Sequence, residues 1–485
     1  MTKRRIKRAL SRTRGRTHLI AAGALTLALG SVVLLRAPTH AESAYAEPSP
    51  PQVSSGSDGL APITFESAGL SGSIELSQRA LPTGQDGTLF AEVNLVAGAA
   101  IPGRTSPVAV SLVLDTSGSM RGEKIEQARM AVREIIAQLG DEDLFSLVTY
   151  DSEARVRLPL TAVRTLRHTV DSHVRAINAG GGTIIPPALE LGAQSLQFAP
   201  GAYVRRVVLI SDGQDGSGQT ELQVRDALGR HAQQGVAFSA MGLGVDYNEG
   251  FLTNVADAGA GNYAFVAGAS DLPPFLSREL ESVRNTAFDN VVAELTLPPG
   301  WRVQRGFGVT HSVDEGVVTI PVGQLGAGQT RKVIVQLHGP TGAVGAEQSF
   351  AARLRFRSLA NAEVHSMPVE TMSVLTVASE GEAFAARVQG VYTRANAVAI
   401  DEAQREAVEA WRGGDLARAD ELTEGNRVRL QALRANAPSD LAPELERQEA
   451  AYELDQLNFR SHSAGSAQGR AHGLSSNSRR RGRSQ

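Results

Sequence analysis

The chain has 485 residues, 42% hydrophobic and 20% charged, which predicts a folding chain of roughly two to four domains and excludes a disordered protein. It contains no cysteine, so disulfides and thiolate metal sites are excluded. Residues 1–46 hold nine Lys/Arg and one acidic residue, and the rest of the chain holds 39 Lys/Arg and 50 Asp/Glu. Because the rest of the chain is acidic, it is not expected to bind nucleic acid by broad phosphate neutralisation.

Residues 1–46 predict a signal peptide or an N-terminal membrane anchor. Eight cations precede the uncharged, mostly apolar run Leu19–Leu35, which is long for a signal peptide and slightly short for a span of about 20 residues. Small residues at Thr39–Ala41 and Ala44–Ala46 suit a signal peptidase, so cleavage and retention as a membrane tether both stay open. In either case the body is expected outside the cytoplasm, in the periplasm or the extracellular space. A buried helix of a soluble protein fits this charge pattern poorly.

Composition and periodicity divide the rest of the chain into six regions. We expect a Pro/Ser/Gly linker at 47–62, a β segment at 63–104, an α/β domain at 105–285, a β-sandwich segment at 286–377, a helical region at 378–460 and a disordered basic tail at 461–485. Since two β regions flank the α/β domain, we expect that domain to be inserted into one sandwich. Within the helical region, Trp411–Asp415 predicts a turn between two helices.

Strands alternate with helices in the 105–285 region, which is typical of an α/β, doubly wound and mostly parallel sheet. The predicted strands are Val108–Leu114, Leu144–Tyr150, Val204–Ile210, Ala237–Leu243 and Tyr263–Val266. The predicted helices are an amphipathic one over Gly122–Gln138, then Ala162–Ile177, Pro187–Leu196, Glu221–Gln234, Glu249–Ala258 and Leu272–Asn285.

Oxygen donors follow the apolar strand Val108–Leu114, in the order Asp115, Ser117 and Ser119. Thr183 follows a triple-glycine loop, and Asp212 stands at the end of another strand. Because ligands gather at the carboxyl ends of parallel strands, we expect these five side chains to form one divalent-cation site. The alternative, a Ser/Gly turn in which Asp115 caps the next helix, does not account for Thr183 or Asp212.

Three motifs in order, D-T-S-G-S from Asp115, G-G-G-T from Gly180 and I-S-D-G from Ile210, resemble a von Willebrand factor type A domain with its metal-ion-dependent adhesion site. The resemblance implies hydroxyl ligands from Ser117, Ser119 and Thr183, carboxylates acting largely through bound water, and Mg²⁺ as cation, with Mn²⁺ or Ca²⁺ as alternatives. Ile184 departs from relatives that have Asn or Asp there, which removes an outer hydrogen bond but no ligand. The β segment after residue 285 is similar to those of bacterial secreted relatives of the inter-alpha-trypsin inhibitor heavy chains and calcium-activated chloride channel homologues.

These observations predict a non-enzymatic, exported binding or adhesion protein. The cation's open coordination position would attract an Asp or Glu carboxylate from a protein partner. Enzyme signatures are missing from the sequence: Ser117 stands where an aspartyl phosphatase needs a second Asp, neither site serine lies in G-x-S-x-G, and no Walker pattern occurs. Two alternatives stay open, an accessory subunit of an ATPase of the chelatase type and a structural, self-assembling envelope component.

Overall fold

In the computed structural model, three β-sheets and a set of C-terminal helices make up the part of the chain that is described, residues 61–99, 106–245, 247–266, 268 and 272–484. The predicted export segment, 1–46, and all but the last two residues of the predicted 47–62 linker lie outside this part. None of the described helices combines the length and apolar character that a membrane span requires.

The first strands belong to a β-sandwich. They are β1 (Ile63–Ser67), β2 (Leu70–Leu76), β3 (Ala80–Pro82) and β4 (Gly87–Ala97). Short alternating segments in this region predicted antiparallel strands, and β1, β2 and β4 pair antiparallel as expected.

The α/β domain follows, with a six-stranded sheet in the order β10-β9-β8-β5-β6-β7. Its strands are β5 (Val108–Asp115), β6 (Leu144–Tyr150), β7 (Ala154–Ala162), β8 (Val204–Ser211), β9 (Val236–Leu243) and β10 (Ala260–Val266). All neighbours are parallel except β7, which runs antiparallel to β6 at one edge.

Helices cover both faces of this sheet. They are α1 (Glu123–Gln138), α2 (Val163–Leu166), α3 (Val170–Arg175), α4 (Pro186–Leu196), α5 (Glu221–Gln233), α6 (Glu249–Ala258) and α7 (Leu272–Arg284). Alternate residues of β5 point to opposite faces: Leu112 packs in the core with α1 and α7, and Val113 in the core with α4, α5 and α6. The prediction of a doubly wound sheet is therefore confirmed.

The chain then returns to the sandwich. The strands are β11 (Thr286–Thr296), β12 (Arg302–Phe307), β13 (Ser312–Asp314), β14 (Val317–Gly326), β15 (Thr330–Gly339), β16 (Glu347–Ser358), β17 (Val364–Ser366) and β18 (Glu370–Val377). One sheet has the order β1-β2-β4-β15-β12 and the other β13-β14-β11-β16-β18-β3, so each contains strands from both sides of the α/β domain. A shared core that includes Leu95, Phe288 and Phe350 lies between them. The α/β domain is thus inserted into one sandwich, as predicted.

The described part of the chain ends with the helices α8 (Glu380–Ala385), α9 (Gln389–Arg412), α10 (Leu416–Arg434), α11 (Ala442–Ser461) and α12 (Ala467–Ser484). The predicted turn between helices lies between α9 and α10, where Gly414 has φ +88° and the Asp415 side chain accepts a hydrogen bond from the Arg418 N–H. Trp411 stacks on Phe459 of α11 with 5.1 Å between ring centroids.

The C-terminal tail differs from the prediction, since residues 467–484 form helix α12 and are not disordered. Leu474 is fully buried in the core on one face of the α/β sheet. The Ser476 hydroxyl donates to the buried Asp455 carboxylate at 2.6 Å, and His472 packs edge-on against Trp411. The Ser/Gly/Arg composition suggested disorder, but contacts with distant parts of the chain order this helix.

The region after β6 also differs, because a single helix over 162–177 was predicted. Instead the edge strand β7 extends to Ala162, and two short helices follow. The Arg167 guanidinium donates to the carbonyls of Ile136 and Leu139 at the end of α1, 3.1 and 2.6 Å away, which fixes the chain between α2 and α3. β7 contains Pro159, a residue that a sheet accepts at its edge.

Candidate metal centre

The candidate site lies at the carboxyl end of β5, beside the ends of β6 and β8. All eight residues of β5 are buried, and the strand ends at Asp115. A single 3₁₀ turn, Gly118–Met120, then leads through Gly122 into α1. Gly122 has φ +80°, a conformation that favours glycine. This local geometry turns the chain sharply away from the sheet and leaves the serines at its edge.

The D-T-S-G-S loop is joined to the triple-glycine loop by two backbone hydrogen bonds. The Gly118 N–H donates to the Gly181 carbonyl at 3.1 Å, and the Gly180 N–H donates to the Thr116 carbonyl at 2.8 Å. These bonds bring the loop that carries Thr183 next to the serine turn, although more than 60 residues separate them in sequence.

A chain of oxygen atoms connects the two serines to Asp212. The hydroxyls of Ser117 and Ser119 lie 2.9 Å apart. The Ser119 hydroxyl donates to Asp212 Oδ1 at 2.7 Å. Three of the five predicted residues are therefore in direct contact.

Thr183 lies on the other side of Gly213. A Cβ placed on Gly213 would lie 3.3 Å from Thr183 Oγ1 and 3.7 Å from Ser119 Oγ, so both hydroxyls border the same glycine. The Thr183 carbonyl also accepts from the Gly216 N–H at 2.7 Å, which ties its loop to the segment after β8. The structure thus places Thr183 with the other hydroxyl donors.

Asp115 is fully buried and accepts three hydrogen bonds. Its Oδ1 accepts from the Ser117 N–H at 2.8 Å, and its Oδ2 accepts from the hydroxyls of Ser211 and Tyr150 at 3.0 and 3.1 Å. Burial raises the pKa of Asp115 above its usual value, and the nearby Asp212 charge adds to this, while the bonds from Ser117 and Ser211 act in the opposite direction. Asp115 therefore organises the base of the site.

The residues around the site include several that the motifs did not indicate. Tyr150 stands opposite Asp115 in the β5–β6 register, so its position at a neighbouring strand end was an available signal. Burial, followed by the Asp115 charge, raises the pKa of Tyr150, which keeps its hydroxyl a neutral donor. Asp215 accepts from the Ile185 N–H at 2.8 Å and holds the start of α4. At Ile184, the residue that departs from the motif, its own backbone N–H donates to the Asp151 carbonyl at 2.9 Å.

Lys124, in the first turn of α1, was also missed. Its Nζ lies 2.5 Å from Asp212 Oδ2, and the Asp212 side chain has no exposed surface. Only its place in the fold reveals this contact, since Lys124 belongs to no motif.

The donor set fits a hard divalent cation. It consists of three hydroxyls and two carboxylates, and oxygen ligands of this kind suit Mg²⁺, Mn²⁺ and Ca²⁺. Across the described ranges, no group of three or more His, Asp and Glu side chains is arranged to hold a metal. A site here would therefore depend on the serine and threonine hydroxyls.

In a comparison with known protein families, the family model "von Willebrand factor type A domain" matches residues 110–277. The chain is 25% identical over 238 residues to the uncharacterized protein YfbK of Escherichia coli K12, covering 46% of this chain and 40% of that protein. It is 35% identical over 162 residues to inter-alpha-trypsin inhibitor heavy chain H4 of Sus scrofa, covering 31% of this chain and 17% of that protein. The chain thus spans less than half the length of these two relatives.

Two solved structures share the fold. A von Willebrand factor type A protein from Catenulispora acidiphila has a TM-score of 0.62 at 20% identity, covering 82% of this chain and 91% of that one. The ArnB paralog VWA2 from Sulfolobus acidocaldarius has a TM-score of 0.59 at 14% identity, covering 86% and 100%. Both matches extend well beyond the α/β domain, so the likeness includes much of the remaining architecture.

Proposed function

This chain is a von Willebrand factor type A domain protein, and from that premise we propose that it is an exported binding protein whose site holds a divalent cation and captures a carboxylate of a protein partner. Proteins with this domain, including the inter-alpha-trypsin inhibitor heavy chains, serve generally as interaction modules. The observation that carries the proposal is the convergence of the Ser117, Ser119 and Thr183 hydroxyls with Asp212 at one sheet edge.

The division of roles follows from burial and contacts. Ser117, Ser119 and Thr183 would hold the cation through neutral oxygens, and Asp115 and Asp212 would balance part of its charge. Asp115 also positions the Ser117 backbone through the 2.8 Å bond from its N–H. When bound, Mg²⁺ supplies an electrophilic coordination position that attracts an external carboxylate. The proposed activity is binding, and we assign the chain no reaction.

Export is the second part of the proposal. It is supported by the order of the N-terminal sequence, in which eight cations precede Leu19–Leu35 and small residues follow. This segment would deliver the body to the cell envelope, either released or tethered through residues 19–35. Fractionation of cells that make the full chain tests it: recovery with periplasmic, extracellular or membrane material is expected, and recovery in the cytoplasm would contradict it.

Cation-dependent capture tests the binding function. The full-length protein, immobilised in Mg²⁺ and exposed to envelope extract, should retain a partner that a chelator releases. Ser117→Ala should abolish retention because it removes a hydroxyl that contacts Ser119 beside Asp212. Thr371→Ala, on an exposed position of β18, is the matched control and should retain the partner. Equal retention of the partner in chelator and in Mg²⁺ would contradict the proposal.

A further inference from the structure

Lys124 and Asp212 form an ion pair inside the candidate metal centre. The distance between Nζ and Oδ2 is 2.5 Å, the Lys124 side chain is 35% exposed, and Asp212 is fully covered. The other Asp212 oxygen accepts the Ser119 hydroxyl at 2.7 Å. Both oxygens of the carboxylate are thus engaged by the protein itself.

Lys124 reaches the candidate site from the start of α1. It lies in the first turn of α1, and its Nζ would be 3.9 Å from a Cβ placed on Gly244, just after β9. The ammonium therefore sits at the carboxyl edge of the sheet, next to β8 and β9, where the proposed cation would also bind.

The residue type suits this position. The lysines of the chain are Lys3, Lys7, Lys124 and Lys332, and the rest of its 48 Lys/Arg residues are arginines. A lysine ammonium is a compact point charge on a flexible stem, whereas a guanidinium is a broad planar fork. A small charge on a flexible stem can approach one carboxylate oxygen and also move away from it.

We propose that Lys124 is a built-in competitor of the cation, which neutralises Asp212 in the cation-free domain and lowers the affinity of the site for divalent cations. The inference rests on the proposed cation site. A divalent cation near Asp212 is repelled by the ammonium and finds the carboxylate already paired. Lys124 must therefore give up its contact with Asp212 before that carboxylate can serve the cation fully.

The test measures cation affinity directly in the full-length protein. Mn²⁺ binding is followed by electron paramagnetic resonance, which reports the free ion, and Mg²⁺ binding by calorimetry. We expect Lys124→Met to lower the dissociation constant about tenfold, because a neighbouring like charge is removed. Lys124→Gln should also lower the dissociation constant, and Lys124→Arg, which keeps the charge, should not lower it.

Lys332→Gln is the matched control, since it removes one lysine charge from β15 of the sandwich. It should not change the affinity. An unchanged or weaker affinity in both Lys124→Met and Lys124→Gln, with parental circular dichroism, would overturn the proposal.

Failure of the underlying cation site looks different. In that case the parent protein and the Ser117→Ala variant would show the same absence of Mn²⁺ binding. A parent that binds Mn²⁺, with Lys124 variants that bind no more tightly, would overturn only the role of Lys124.

Discussion

The two carboxylates of the candidate metal centre have different surroundings. Asp115 is held by three neutral donors at the base of the site, from Ser117, Ser211 and Tyr150. Asp212 instead meets one hydroxyl and one ammonium. Asp115 therefore acts mainly on the shape of the loop, and Asp212 is the carboxylate whose charge balance a cation would change.

Asp115→Ala should destabilise the protein even in the presence of a chelator. The substitution leaves three buried donors without their acceptor, and a buried unsatisfied group costs roughly 1–3 kcal/mol. Urea unfolding in chelator should show a lower midpoint. Asp314→Ala, at an exposed position of β13, should unfold like the parent. An Asp115→Ala variant as stable as the parent would show that these bonds contribute little.

The motif residues were predictable from the sequence because each stands at a strand end or in a glycine loop. Lys124 and Ser211 were not predicted as partners, although Ser211 lies inside the I-S-D-G motif. Their contacts depend on how α1 and β8 sit against the end of β5, which periodicity does not specify. Sequence patterns thus predicted the five oxygen donors and did not predict the Lys124 ammonium beside Asp212.

Among the elements, α7 is held by a buried ion pair. Glu279 accepts from Arg206 at 2.8 Å, and both side chains are about 95% buried. Arg206 also donates to Ser239 at 2.8 Å and to Gln324 of β14 at 2.6 Å. One guanidinium therefore connects β8, β9 and α7 of the α/β domain to the sandwich, and a shift of α7 along its axis would break the ion pair.

Arg206→Ala should lower the free energy of unfolding by about 3–5 kcal/mol, because it leaves Glu279 as an uncompensated buried charge. The double variant Arg206→Met with Glu279→Leu should recover much of this loss, since it removes both charges and keeps apolar volume. Denaturant unfolding of the parent, both single variants and the double variant gives the coupling. Additive losses would show that the pair does not hold α7.

Element prediction succeeded where a periodic segment packs on its own domain and failed where distant contacts decide. The bounds predicted for β6 and α6 match the structure, because each has a clear apolar pattern between turn residues. The helix predicted at 162–177 is divided because Arg167 bonds to the end of α1. Nothing in the local sequence encodes that contact.

Over the whole molecule, the C-terminal helices pack back on the parts that precede them. Arg394 of α9 pairs with the buried Glu92 of β4, and Arg412 pairs with Glu249 of α6 at 2.8 Å. Leu474 of α12 then inserts into the core of the α/β domain. The sequence predicted the helices, and because a lone helix–turn–helix unit cannot bury its own face it favoured packing on the sandwich or on a partner, but it did not indicate contact with the α/β domain.

Leu474→Ala should release α12 from the α/β domain. Truncating a buried leucine lowers the free energy of unfolding by about 2–5 kcal/mol. This is a large loss for a terminal helix, which makes few contacts. Hydrogen exchange should show faster exchange in residues 467–484 while the β5 amides stay protected. Leu457→Ala, at a position 62% exposed, is the control and should leave α12 protected. Equal protection of α12 in both variants would contradict its docking through Leu474.

The base of the inserted domain has a mechanical consequence. The Ser106 hydroxyl donates to the Thr286 carbonyl at 3.1 Å. This hydrogen bond joins the point where the chain enters the inserted domain to the point where it leaves. Beside them, β4 pairs with β15 over ten residues. Tension entering through the N-terminal strands would act on the β4–β15 ladder, and the bond between Ser106 and Thr286 would hold the two ends of the insert together if a partner captured as proposed were pulled.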